Sequence, residues 1–296
     1  MSTTPNESVV GSRRLAMTLP RLAEKKRLGE PIVMITAYDF PSALIAEEAG
    51  VDIVLVGDSA GDVVLGYGST VPVKLEEMLM LAAAVRRGLQ APLLVVDLPF
   101  GTYEASDEKA VENAQRLVKE AGADAVKLEG GGPAQVARVA AIVAAGIPVM
   151  GHVGLTPQSA TALGGRRAQG RTAERALAVG RDARALEAAG CFAIVFEAIP
   201  AAVAAELTRL LAIPVIGIGA GAGTDGQVLV LHDMLGVYPG QALRHSKQYA
   251  DLHGQMLAAI AEYAEEVRGG QFPSSENTFS IAPLELEAFT QQLGDV

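Results

Sequence analysis

Eight short runs in this chain are apolar on both faces, and alanine-rich segments of helical period separate them. The runs are 32–37, 53–56, 93–96, 125–128, 149–153, 193–196, 215–218 and 228–231, and the helical segments are 41–49, 75–87, 107–121, 134–145, 173–189 and 201–211. A strand without a polar face must be covered on both sides, which is the condition of a parallel sheet packed under helices. Eight such strands predict an α/β fold, a closed (β/α)₈ barrel, with a doubly wound open sheet as the structural alternative. Glycine recurs where helices should end, in Ala49-Gly50-Val51, Ala121-Gly122-Ala123 and Ala189-Gly190-Cys191. Ile147-Pro148-Val149 and Ile213-Pro214-Val215 repeat a second strand-entry signal.

The ladder is uneven. About 13 residues separate the centres of the seventh and eighth runs, too few for a full crossover helix, so a turn is expected there. The stretches 57–74 and 154–172 are long glycine-rich loops after strands, where substrate contacts belong. An amphipathic segment at 15–27 is placed to plug the barrel bottom, and a long helix is expected over 245–268. The expected organisation is a flexible N-terminal segment at 1–14, one barrel domain with its C-terminal helix at 15–273, and a tail at 274–296.

Composition works by exclusion. Against 34 Asp+Glu stand 24 Lys+Arg, a net charge of −10, with no basic stripe to neutralise phosphates. Nucleic acid and anionic membrane are therefore not expected as partners. The single cysteine, Cys191, cannot form an internal disulfide and fits a reducing compartment. The start is polar, and no uncharged apolar stretch reaches the roughly 18 residues of a membrane span. A cytoplasmic protein is expected.

The ends of the runs carry the chemistry. They supply Thr36, Tyr38 and Asp39, then Asp58 and Ser59, then Asp97, Lys127 and Glu129, His152, Glu197, and finally His232 and Asp233. A barrel gathers strand ends into one ring, and ionisable groups closing apolar runs are costly unless paired, metal-bound or wetted. Asp58, Asp97 and Glu129 form an oxygen-rich candidate set for Mg²⁺ or Mn²⁺. Each, read alone, is first a helix N-cap; the three together at consecutive strand ends favour the metal site. Lys127 and Glu129 are two apart and share a strand face; the lysine could bind a substrate carboxylate or enolate oxygen, or pair structurally with Glu129. Glu197 follows Ile194-Val195-Phe196, a setting that favours a carboxylate base, with helix capping as the alternative. His152 also reads as a hydrogen-bonded core histidine. The run Gly217-Ile218-Gly219-Ala220-Gly221-Ala222-Gly223 matches a relaxed dinucleotide pattern, but no long amphipathic helix follows it, so close backbone packing at the barrel mouth is the better reading.

Several stretches together resemble the ketopantoate hydroxymethyltransferase family. They are Ile35-Thr36-Ala37-Tyr38-Asp39, Leu55-Val56-Gly57-Asp58-Ser59, Asp97-Leu98-Pro99-Phe100, Val126-Lys127-Leu128-Glu129-Gly130-Gly131, Gly151-His152-Val153-Gly154-Leu155-Thr156-Pro157-Gln158-Ser159 and Pro214-Val215-Ile216-Gly217-Ile218-Gly219-Ala220-Gly221, spread over 31–273. The resemblance implies the (β/α)₈ barrel of the phosphoenolpyruvate/pyruvate superfamily and transfer of a hydroxymethyl group from 5,10-methylenetetrahydrofolate to C3 of α-ketoisovalerate, at the head of pantothenate synthesis. It implies Mg²⁺ on Asp58 and Asp97, with Glu129 direct or through water, and Asp58, Ser59, Asp97, Lys127 and His152 around the substrate. Glu197 becomes the base, and a homodecamer the expected assembly. One loop departs from the family: Arg166-Arg167-Ala168-Gln169-Gly170 stands where an aromatic residue and a lysine usually precede Val-Gln-Gly. Two other readings stay open. One is a carbon–carbon lyase of the same superfamily acting on another 2-oxo acid; the other is a non-catalytic barrel that binds a nucleotide or serves assembly alone.

Overall fold

The eight runs form eight parallel strands that close on themselves. In the computed structural model, which describes residues 14–162, 164–165, 167–239 and 246–294, the strands are β1 Ile32–Thr36, β2 Ile53–Val56, β3 Leu93–Asp97, β4 Ala125–Lys127, β5 Val149–Gly154, β6 Ala193–Glu197, β7 Val215–Ile218 and β8 Gly226–Leu229. They pair in sequence order, and β8 closes on β1 through Ile32↔Gly226 to Ile35↔Leu229. The barrel was expected, and the open sheet is excluded by this closure. Most of the first expected segment, 1–14, lies outside the described residues.

The helices are α1 Leu19–Leu28, α2 Phe40–Ala49, α3 Ala60–Val63, α4 Leu75–Gly88, α5 Asp107–Ala121, α6 Pro133–Ala144, α7 Ala173–Ala188, α8 Ala201–Leu210, α9 Leu231–Leu235, α10 Leu252–Arg268 and α11 Pro283–Leu293. The described residues divide into two compact units, 14–234 with 246–248, and 235–239 with 249–294. The first holds the barrel. The second holds α10, capped by the Asp251 carboxylate on the Gly254 N–H, and α11.

Two apolar layers build the barrel. Between sheet and helices lie Val54, Met78, Leu94, Leu117, Val126, Ile142, Leu186 and Phe196. Inside the barrel, Met34, Ile53, Leu93, Ala125, Met150, Ala193 and Ile216 pack with Leu22 of α1, which is 1% exposed. The segment before β1 therefore plugs the bottom, as its amphipathic pattern predicted. Thr18 caps α1, and Gly29 ends it in the left-handed region at φ 70°.

Three strand or helix boundaries differ from the sequence reading by more than one residue. β8 begins at Gly226, two residues before the expected run, because only glycine fits there: a Cβ would fall 2.4 Å from the Ile32 carbonyl oxygen. Leu231 leaves the sheet to start α9, its N–H bonded to Thr36 Oγ1 at 2.9 Å. The long C-terminal helix starts at Leu252, since the described residues before it, from 246, form no helix; His245 lies outside the described residues. Between β7 and β8 there is a turn and no helix, as spacing required. The glycine run packs backbone against α8: Cβ atoms on Gly221 and Gly223 would meet Ala201 Cβ at 2.4 Å and Ala205 Cβ at 2.6 Å. Close packing, the preferred reading, accounts for it.

Candidate active site

Asp97 and Lys127 are paired in the register of β3 with β4, and that register builds the centre of the site. Lys127 Nζ lies 2.9 Å from Asp97 Oδ1, an ion pair that lacks hydrogen-bond alignment. The other oxygen, Asp97 Oδ2, accepts the Asp58 N–H at 3.0 Å across from the end of β2. Asp58, Asp97, Lys127, Glu129 and His152 are each 5% exposed or less. None of the three acids caps a helix: Ser59, Ser106 and Gly132 hold the N-cap positions of α3, α5 and α6.

Their proximity is electrostatically costly. Burial, then repulsion from Asp97 and Glu129, pushes the Asp58 carboxyl well above its ordinary range. Burial alone would lower the Lys127 ammonium, but Asp97, Glu129 and Asp58 reverse this and hold it above its ordinary value. The lysine's contact partner is Asp97 rather than Glu129.

β5 and β6 bring the second part of the site into place. Their register sets Gly154 opposite Glu197. Gly154 takes φ 98°, and a Cβ there would lie 2.2 Å from the Glu197 carbonyl oxygen, so only glycine allows the approach. His152 Nε2 then stands 3.1 Å from Glu197 Oε2, and Nδ1 stands 3.6 Å from Glu129 Oε1. Burial and the Lys127 ammonium push the imidazole down, but the flanking carboxylates outweigh both and raise it to about 9. Glu197 is the more open carboxylate, its side chain 17% exposed. Ala198, directly after it, has φ 50°, the left-handed region that non-glycine residues rarely adopt.

At the other side of the ring, Tyr38 Oη and Ser59 Oγ are 2.8 Å apart, and the Tyr38 ring stacks obliquely on His232 at 5.4 Å. Asp39 lies away from this chemistry and caps α2 in a capping box with Ser42. His232 and Asp233 belong to α9 instead of a strand end. Thr36 acts as a seam between β1 and Leu231. Cys191 is buried, and burial pushes its thiol up to about 12. Arg166 of the divergent loop lies outside the described residues.

Two residues were not singled out from sequence. Gln158, in the turn Pro157–Ser159, donates from its amide to Asp58 Oδ2 at 2.8 Å and from its backbone N–H to Glu129 Oε2 at 3.0 Å. Tyr103 donates its hydroxyl to Gln158 Oε1 at 2.5 Å. Gln158 does fall inside the stretch Gly151–Ser159 that carries the family likeness, which was the available signal.

Among the described residues, no three His, Cys, Asp or Glu side chains converge into a ready-made metal cage. The donor set nevertheless suits magnesium, which keeps several waters and takes one or two carboxylates plus substrate oxygens. Burial and then repulsion from Asp97 and Glu129 raise the Asp58 carboxyl, and a divalent cation between these acids would relieve that repulsion.

A family model described as ketopantoate hydroxymethyltransferase matches residues 16–275. The chain belongs to the ketopantoate hydroxymethyltransferase family. It is 54% identical over 272 residues to 3-methyl-2-oxobutanoate hydroxymethyltransferase of Carboxydothermus hydrogenoformans, covering 92% of this chain and 98% of that one. To the Moorella thermoacetica protein of the same name it is 54% identical, covering 90% and 99%. The Arabidopsis thaliana protein, 3-methyl-2-oxobutanoate hydroxymethyltransferase 1, mitochondrial, is 48% identical, with 99% of this chain and 88% of that one covered. Family membership makes this chain an enzyme, a hydroxymethyltransferase. Among solved structures, 2,3-dimethylmalate lyase, a PEP mutase/isocitrate lyase superfamily member, aligns with TM-score 0.57 at 15% identity, covering 95% of this chain and 97% of that one. Phosphonopyruvate hydrolase aligns with TM-score 0.57 at 14% identity, covering 94% and 97%. At these identities the likeness is one of fold alone. No helix among the described residues is long and apolar enough to cross a membrane.

Proposed function

We propose that this hydroxymethyltransferase moves the one-carbon unit of 5,10-methylenetetrahydrofolate to C3 of α-ketoisovalerate, giving ketopantoate, the first step toward pantothenate. The observation that carries the reading is the placing of Glu197 beside a buried, carboxylate-rich centre that already holds Lys127. Asp58 and Asp97 would hold Mg²⁺, with Glu129 direct or through water. When bound, the metal supplies Lewis-acid stabilisation of charge developing on the keto oxygen.

The chain's own residues do the rest. Lys127 and Ser59 hold the substrate carboxylate, Lys127 as a cation fixed in position by Asp97. Glu197 takes the C3 proton at Oε1 or Oε2; its partial exposure gives it access to a bound molecule that the buried Glu129 lacks. His152 sits against Glu197 and orients it, leaving proton removal to the carboxylate. One C–N bond of the folate methylene opens to leave an iminium, and the carbon nucleophile formed at C3 bonds to the iminium carbon as its electron pair moves to nitrogen. A water molecule then replaces the remaining folate nitrogen on that carbon, supplying the hydroxyl oxygen and releasing tetrahydrofolate.

The test is product formation. Full-length protein with α-ketoisovalerate, methylenetetrahydrofolate and Mg²⁺ should give new hydroxymethyl signals in the proton NMR spectrum. Folded protein that gives none would overturn the proposal. The cytoplasmic setting and homodecameric assembly belong to the same proposal, and light scattering of the purified chain tests the assembly.

A further inference from the structure

Gln158 has every polar group of its side chain used, and the partners fix which way its amide points. Nε2 faces Asp58 Oδ2 at 2.8 Å and the Leu98 carbonyl at 3.1 Å, and Oε1 receives the Tyr103 hydroxyl at 2.5 Å. An amide turned the other way would set its oxygen against two acceptors. The backbone N–H of the same residue reaches Glu129 Oε2 at 3.0 Å. One residue of the turn after β5 thus bonds two of the three buried carboxylates and the main chain beyond β3. Gln158 is 7% exposed and Tyr103 is 2% exposed. Tyr103 also lies 3.5 Å from the Glu129 carbonyl oxygen, and burial followed by the nearby Glu129 charge holds its hydroxyl above the ordinary range, so it remains a donor.

We infer that Gln158 is a positioning residue for the carboxylate set: it fixes the rotamers of Asp58 and Glu129 so that they meet a divalent cation without reorganising, and Tyr103 holds Gln158 in place. The inference rests on the reading that these carboxylates bind a metal. Hydrogen-bond partners that orient ligating carboxylates commonly govern metal affinity by about 10–100-fold. The arrangement also ties the loop that continues past Ser159 to the metal set, because the turn cannot move without releasing both carboxylates.

The experiment is titration of the full chain with Mn²⁺ alone, read from loss of the free-ion EPR signal and repeated with Mg²⁺ as competitor. Gln158→Ala should bind Mn²⁺ about 10–100-fold more weakly than wild type. Tyr103→Phe should show a smaller loss, and the double variant should be no weaker than Gln158→Ala, since the hydroxyl acts through the amide. A purely structural role would lower the melting temperature and leave Mn²⁺ affinity unchanged; that result overturns the inference. If Gln158→Ala does not fold, Tyr103→Phe decides, and unchanged Mn²⁺ affinity in it overturns the inference equally. Wild-type protein that binds no Mn²⁺ overturns the metal reading itself, whereas wild type and Gln158→Ala binding equally overturn this inference alone.

Discussion

His152 Nε2 and Glu197 Oε2 stand 3.1 Å apart at the ends of the adjacent strands β5 and β6, and the approach of the two strands depends on a glycine, Gly154, two residues past His152 in β5. The contact is an ion-pair approach without hydrogen-bond alignment, and Glu197 is the more solvent-accessible of the site's carboxylates. If Glu197 removes the substrate proton, Glu197→Gln should lower kcat by about 10²–10⁴-fold. Thermal stabilisation by α-ketoisovalerate plus Mg²⁺ should persist, because the carboxylates nearer Lys127 are untouched. Near-normal turnover in this variant would remove Glu197 from the role of base.

Asp97 serves both Lys127 and the Asp58 N–H. Asp97→Asn should abolish the stabilisation that α-ketoisovalerate gives in the presence of Mg²⁺, measured as a thermal shift. Its intrinsic destabilisation should stay below the about 3–5 kcal/mol of a broken buried ion pair, because Asp58 and Glu129 remain beside the ammonium. A full Mg²⁺-dependent shift in the variant would contradict this ligand assignment.

Leu22 fills the barrel interior from below, with strand-start residues Ile32, Ile53 and Leu93 around it. Leu22→Ala should destabilise the protein by about 2–5 kcal/mol, read by denaturant unfolding. The site lies at the opposite strand ends, so the KM for the keto acid in the surviving folded protein should not change.

Ala198 holds φ 50° immediately after Glu197. Glycine at this position relieves about 1–2 kcal/mol of left-handed strain and returns part of it as unfolded-chain entropy. Ala198→Gly should therefore raise unfolding free energy by about 0.5 kcal/mol while loosening Glu197 and lowering kcat. A fall in stability of about 1 kcal/mol or more would show that the backbone there is not strained.

The Cys191 thiol, raised by burial from 9.0 to about 12, should resist iodoacetamide in native protein at pH 8 and react once unfolded. A raised thiol value favours the folded state fully below pH 9.0, and that contribution is lost as the pH climbs toward 12. Mass spectrometry of native protein after alkylation checks the first point; rapid labelling of folded protein would contradict it.

The residues legible in sequence share one property: each closes or follows an apolar run. That is why Asp58, Asp97, Lys127, Glu129, His152 and Glu197 could be placed together from strand periodicity alone, with Ser59 beside them. Gln158 and Tyr103 lie on loops past the strand ends, where no periodicity operates and where only the closed barrel decides which groups meet. Asp39 looked the same as the site acids in sequence because a strand-end aspartate and a helix cap are the same local pattern; the capping box with Ser42 separates them. The start of β8 was misplaced because Gly226 and Gln227 carry no apolar signal, and their place in the sheet is set by the backbone of Ile32 and Ile216. In the expected tail, Pro283 at the first turn and the spacing of Leu286, Phe289 and Leu293 were helix signals that the flanking glycine, serine and proline obscured.

The most direct test of the central claim, that Glu197 abstracts the C3 proton, is deuterium exchange without the folate. α-Ketoisovalerate in D₂O with wild-type protein and Mg²⁺ should lose its methyl doublet in favour of a singlet as C3 takes up deuterium, and Glu197→Gln should leave the doublet intact over the same time. A doublet that persists with folded wild-type protein, or that collapses equally fast with Glu197→Gln, would contradict the account.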